Sequence, residues 1–126
     1  MNIENLAFQV KGRSYAIRFP NVGDYRNIEA MKHTLSANTY GSMTMSRLAT
    51  ANEALDMIDI EAYLTVLCPK LLEDLRCSSF SDLGIIDYRE LRDAFKKQFV
   101  PWWQNIESML RPEPQKVQSD EEAEQY

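Results

Sequence analysis

Histidine and cysteine are scarce in this chain. Its 126 residues hold one histidine, His33, and two cysteines, Cys68 and Cys77. One imidazole and two separated thiols cannot assemble a zinc site of the usual nitrogen and sulfur ligands, so no metal is expected. A nucleophilic Cys–His pair would have to join His33 to Cys68 or Cys77, and neither cysteine lies in the small-residue turn such sites use. The expectation is a surface histidine and two buried thiols in a reducing compartment. The four glycines, Gly12, Gly23, Gly41 and Gly84, are scattered singly. No phosphate-cradling loop is therefore present, and no cofactor is expected. Asp56 and Asp59 share a helical face at i,i+3, and Glu73 adjoins Asp74. Capping and solvation explain Asp59 better than acid–base chemistry does. No residue stands out as catalytic, and the chain is expected not to be an enzyme.

Long apolar runs are also missing, so no membrane span is expected. Glu4 stands where a signal peptide would carry Lys or Arg, which points to the cytoplasm. The formal net charge of −5 is unevenly spread. Residues 1–111 hold 13 Lys and Arg against 14 Asp and Glu, while residues 112–126 hold one Lys and five acids. A nearly neutral body has no broad attraction to phosphate, which argues against nucleic acid as a partner. The body has ordinary globular composition, 44% hydrophobic and 26% charged over the whole chain. It is expected to form one domain over residues 1–111. The rest, with Pro112, Pro114 and Asp120-Glu121-Glu122-Ala123-Glu124, reads as a disordered acidic tail.

What is present begins with a hairpin. With Lys11-Gly12 as a two-residue turn, Val10 pairs with Arg13, Phe8 with Tyr15 and Leu6 with Ile17. One face then collects Leu6, Phe8, Val10, Tyr15 and Ile17, and Phe19 beyond them; the other collects Ala7, Gln9, Ser14, Ala16 and Arg18. A one-residue slip would scramble both faces. Pro20 ends the second strand, and Asn21 is placed to cap a helix whose third residue is Asp24. Val22, Tyr25, Ile28, Met31 and Leu35 form its stripe. Residues 36–42 read as a loop.

A second helix is expected over residues 43–57, with Leu48, Ala51, Leu55 and Ile58 on one side. Asp59 is expected to cap a third, ending near Cys68 because Pro69 disfavours helix in the preceding residue. A short turn over 71–75 and a Ser-rich link over 78–81 follow. Asp87 is expected to cap the last helix, whose stripe is Leu91, Phe95, Phe99, Trp102, Ile106 and Met109. Pro101 should kink or break it. The fold class is α+β, mostly helical: an N-terminal β-hairpin packed on a bundle of about four helices.

Phe99, Val100, Pro101, Trp102 and Trp103 form the most unusual cluster. Trp102 belongs to the stripe. Val100 and Trp103 point about a third of a turn away, where they either fill a larger core against the hairpin or line a partner groove. Val100 and Trp103 are the candidate partner-binding residues.

Phe8-Gln9-Val10-Lys11-Gly12-Arg13-Ser14-Tyr15-Ala16-Ile17-Arg18-Phe19, running at once into Pro20-Asn21-Val22-Gly23-Asp24-Tyr25-Arg26-Asn27-Ile28-Glu29, resembles the small tail assembly chaperones of long-tailed bacteriophages. Lys96-Lys97-Gln98-Phe99-Val100-Pro101-Trp102 is similar too. The resemblance is one of layout and covers about residues 6–110. It implies a hairpin on a helical bundle that coats the phage tape-measure protein, or another tail protein, in the host cell cytoplasm. It further implies help in recruiting tail-tube subunits, without catalysis or cofactor. Such chaperones often have a longer frameshifted form, and self-association is possible for a module of this kind. The alternatives are a structural virion protein of head, neck or tail, retained in the particle, and a regulatory adaptor for a host protein.

Overall fold

The computed structural model describes residues 4–75 and 80–111. The chain starts with strands β1 (Leu6–Val10) and β2 (Arg13–Ile17), paired antiparallel as Leu6↔Ile17, Phe8↔Tyr15 and Val10↔Arg13. This is the register that the alternation of apolar residues dictates. Lys11 and Gly12 both adopt positive φ, 54° and 72°, as a right-twisting two-residue turn requires. Glycine does so without cost; Lys11 does not, and costs about 1 kcal/mol. Its ammonium bridges Asp87 at 2.8 Å and Glu90 at 3.1 Å, tying the hairpin tip to a distant helix. Phe8 and Ile17 are fully buried, and Val10 nearly so.

Helix α1 (Val22–Leu35) opens with a capping box. The Asn21 side chain accepts from the Asp24 N–H at 2.7 Å, and the Asp24 carboxylate accepts from the Asn21 N–H at 3.0 Å. Asp24 also takes the Arg18 guanidinium at 2.7 Å, so one buried carboxylate joins the end of β2 to the start of α1. Arg18 donates as well to the Val66 carbonyl at 2.7 Å, which brings in the end of the central helix. Of the expected stripe only Ile28 is fully buried, whereas Val22 is 69% exposed. Val22 is the first helical residue, and the chain enters α1 from outside the core.

Two helix assignments differ from expectation. Residues 40–45, partly assigned to a loop, form the short helix α2 (Tyr40–Met45), reached through Ala37 and Asn38 at positive φ. The second and third expected helices are one helix, α3 (Ala49–Leu67). Nothing between Ala49 and Leu67 breaks it, and the Ala, Leu and Glu content favours continuation. Asp59 lies inside α3 and caps nothing, because the Tyr40 hydroxyl claims its carboxylate at 2.6 Å. Leu48, expected to face inward, precedes α3 and is 68% exposed. The stop before Pro69 is as expected: α3 ends at Leu67, and α4 (Pro69–Asp74) follows with Pro69 in its first turn. A single 3-10 turn spans Phe80–Asp82.

Helix α5 (Ile85–Ala94) is preceded by Gly84 and has no side-chain cap. Asp87, the expected cap, sits in its first turn, with its carboxylate on Lys11. A five-residue π turn, Phe95–Phe99, joins α5 to α6 (Val100–Leu110). The Val100 N–H reaches back five residues to the Phe95 carbonyl. The backbone stays helical from α5 through this widened turn into α6. In place of the kink or break expected at Pro101, the structure has a π turn just before it, with Pro101 in the first turn of α6. Cys68 is a buried thiol, while Cys77 and the acidic stretch 112–126 lie outside the described residues.

The core runs between the hairpin, α1, α3 and the α5–α6 unit. Phe8→Ala should lower stability by about 3–5 kcal/mol, the usual range for a buried phenylalanine. Urea denaturation measures this; a midpoint equal to that of the parent would contradict the packing of Phe8.

Candidate functional site

Trp103 is a core residue. It is only 5% exposed, and its indole stacks on Phe99 (5.7 Å between centroids, 13° between planes) and Tyr25 (6.0 Å, 11°). It meets Tyr63 edge-on at 4.7 Å. Of the two readings of Trp103, core filler or groove wall, its burial supports the first. Residues 99, 102, 103 and 106 recur at i, i+3, i+4 and i+7, and all four are buried. A core-facing helix buries a stripe this wide, not a single narrow seam. The indole N–H of Trp103 and the hydroxyl of Tyr88 are buried with no hydrogen-bond partner among the described residues. Each offsets part of what packing contributes. Val100 is half-buried and lines a cavity of about 260 Å³ beside Trp103, Tyr40, Asp59, Tyr63 and Lys32.

That cavity contains a buried lysine held by charged and phenolic partners. The Lys32 side chain is 8% exposed. Its ammonium donates to the Tyr63 hydroxyl at 2.8 Å and to Glu29 at 3.1 Å, and lies 4.0 Å from Asp59. It sits 4.5 Å from the Tyr63 ring centroid and 5.5 Å from that of Tyr40, within cation–π range. Burial lowers the pKa of Lys32. Electrostatic interaction with Asp59, Tyr40 and Glu29 outweighs that, leaving it above 10.5. Burial pushes the Tyr40 and Tyr63 phenols up and also raises the Asp59 carboxyl above 3.8. At neutral pH the cluster therefore holds a charged lysine and two protonated phenols. The cluster pins α1 and α2 to α3 through the Lys32–Tyr63 and Tyr40–Asp59 hydrogen bonds.

The second candidate is a groove of about 440 Å³ where the start of α1 meets the end of α6. Phe19, Val22 and Tyr25 form one wall, and Ile106, Met109 and Leu110 the other. Arg26 is the one charged residue in its lining. Val22 and Leu110 are 69% and 62% exposed, although both are large and apolar. They are the first residue of α1 and the last of α6, where each helix has run past the core. Trp103 supports this groove from behind through its stack on Tyr25. Other exposed apolar side chains are Leu35, Met45, Leu48, Ile85 and Ile86. Leu35 and Ile85 border a cavity that is also lined by Glu61 and Ser81.

Sequence reasoning placed the partner surface at Val100 and Trp103. The fold brings these two together at the cavity beside Lys32 and offers Val22 and Leu110 at the α1–α6 groove. No local pattern marks the latter pair, because their meeting depends on how α1 and α6 are oriented.

Two outcomes follow. Trp103→Ala should cost about 3–5 kcal/mol of stability, measured by thermal and urea unfolding; a parent-like transition would contradict its place in the core. Lys32→Met should cost about 1–3 kcal/mol by leaving the buried Tyr63 hydroxyl without its donor and removing the positive charge beside Asp59. A raised folded-state pKa means that the Lys32 contribution is fully present below about pH 10.5 and fades as pH rises through the folded value. The gap between parent and Lys32→Met should therefore stay constant from pH 6 to 9 and narrow only in stronger alkali. A gap that closes between pH 6 and 9 would contradict the assignment. In comparisons with protein-family models, curated proteins and solved structures, nothing matches the chain.

Proposed function

We propose that this chain is a non-catalytic protein-binding module of the tail assembly chaperone type. In this reading it holds an apolar helical stretch of a phage tape-measure protein in the α1–α6 groove. It thereby keeps that stretch from aggregating in the host cytoplasm while tail-tube subunits are recruited. The observation that carries the reading is the groove itself: two apolar walls with Val22 and Leu110 held out of the core. An amphipathic helix fits such a groove by seating side chains at i, i+3 or i+4, and i+7 between its walls. The volume of about 440 Å³ falls in the ordinary range for sites that enclose a few large side chains. The resemblance of the hairpin and the first helix to tail assembly chaperones names the partner. Among the described residues no helix is long and apolar enough to cross a membrane, in keeping with assembly away from a bilayer.

The test is co-expression with the tape-measure protein of the same phage. Val22→Asp and Leu110→Asp alter exposed positions, so thermal unfolding should change by about 0.5 kcal/mol or less. Partner recovery in the soluble fraction should fall at least tenfold, the effect of a charge set against an apolar hot spot of 2 kcal/mol or more, roughly. Undiminished recovery with both variants would remove the groove from the account. Stoichiometric presence of the protein in purified particles would favour a structural virion component instead.

A further inference from the structure

We infer that the outer edge of β2, between Ser14 and Ala16, receives an extended acidic segment of another polypeptide by strand addition. The alternation of an antiparallel ladder locates the edge. Residues flanking a two-residue turn exchange both backbone hydrogen bonds, and every second pair does the same. Val10–Arg13, Phe8–Tyr15 and Leu6–Ile17 therefore bond inward. Ala7 and Gln9 on β1, and Ser14, Ala16 and Arg18 along β2, turn their backbone groups outward. Two contacts confirm the phase. The Gln98 side chain clamps the outward groups of Gln9, accepting from its N–H at 2.8 Å and donating to its carbonyl at 2.7 Å. The outward N–H of Arg18 reaches the Leu67 carbonyl at 3.3 Å.

The β1 edge is thus closed at Gln9, and the β2 edge is closed at Arg18. Between turn and closure, Ser14 and Ala16 are exposed, and no described residue bonds their outward groups. Exposed edges of this kind template a further strand.

Charge selects the occupant. The edge borders a groove of about 590 Å³ shared with α4, where Arg13 and Lys70 lie at 3.1 and 3.3 Å from one carboxylate, Asp74. The two cationic side chains are 61% and 71% exposed. Two cations on one carboxylate leave a positive surplus beside the open backbone, which favours an acidic strand. The same surplus disfavours a second copy, because two such edges would bring like charges together.

The test uses the full chain, isotope-labelled for NMR, and a capped heptapeptide of alternating valine and glutamate. Addition should shift the Ser14 and Ala16 amides and slow their hydrogen exchange at least tenfold. The Tyr15 and Ile17 amides, already bonded inward, should keep their protection. A valine–lysine heptapeptide should bind at least tenfold more weakly, and raising salt from about 20 to about 300 mM should weaken the acidic peptide severalfold. Ala16→Pro removes an outward donor and leaves the inward ladder intact, so it should abolish the response. If Ala16→Pro disrupts the hairpin, Arg13→Glu combined with Lys70→Glu tests the same site, and the preference should pass to the valine–lysine peptide. Three results would overturn the inference: Ser14 and Ala16 amides already protected in the chain alone, peptide-induced shifts confined to other residues, or no response to millimolar peptide.

Discussion

Stacking of the Phe95, Phe99 and Trp103 rings around Tyr63 is the interaction on which the rest of the structure depends. Phe95 and Phe99 lie face to face at 4.3 Å and 18°, and Tyr63 of α3 meets Phe99 at 4.9 Å and Trp103 at 4.7 Å. Aromatic pairs of this kind contribute about 0.5–1.5 kcal/mol each beyond simple burial. The π turn is the backbone's accommodation to the stack. In an unbroken α-helix Pro101 would clash with the Lys97 carbonyl and remove a donor, at about 3 kcal/mol. Widening one turn instead places the Val100 N–H on the Phe95 carbonyl and leaves Pro101 at the start of a new helix, where proline fits.

The surfaces offered to partners follow from that arrangement. Trp103 stacks on Tyr25, which sets the start of α1 beside the end of α6 and leaves Val22 and Leu110 facing each other across a groove. The Asn21–Asp24 box and the Arg18–Asp24 pair hold the same corner from the hairpin side. Gln98, within the π turn, closes the β1 edge at Gln9. One irregular turn thus packs the core, backs the apolar groove and covers part of one hairpin edge.

The hairpin was legible because its signal is local: strict alternation on both strands and a turn dipeptide ending in glycine. The capping box at Asn21 and the stop before Pro69 were legible for the same reason, since each acts within a few residues. Asp59 and Asp87 look like caps in sequence and are not, because Tyr40 and Lys11, remote along the chain, take their carboxylates. Trp103 is buried, and Val100 is half-buried at a cavity beside it. A seam one residue wide made Trp103 surplus, whereas the real buried face includes both i+3 and i+4 positions. The groove itself lay beyond sequence reasoning, since Val22 and Leu110 become neighbours only through tertiary packing.

Deletion of Lys97 tests the dependence on the π turn most directly. Lys97 is exposed and lies within the widened turn, so its removal takes out one residue and no buried side chain. A π turn is an α-helix with one residue inserted, and the deletion would restore ordinary helical spacing between Phe95 and the tryptophans. The account predicts loss of the near-ultraviolet circular dichroism of Trp102 and Trp103, together with a much weakened or absent cooperative melt. A deletion variant with the parent's near-ultraviolet spectrum and melting temperature would show that the stack does not require the π turn, and would contradict the account.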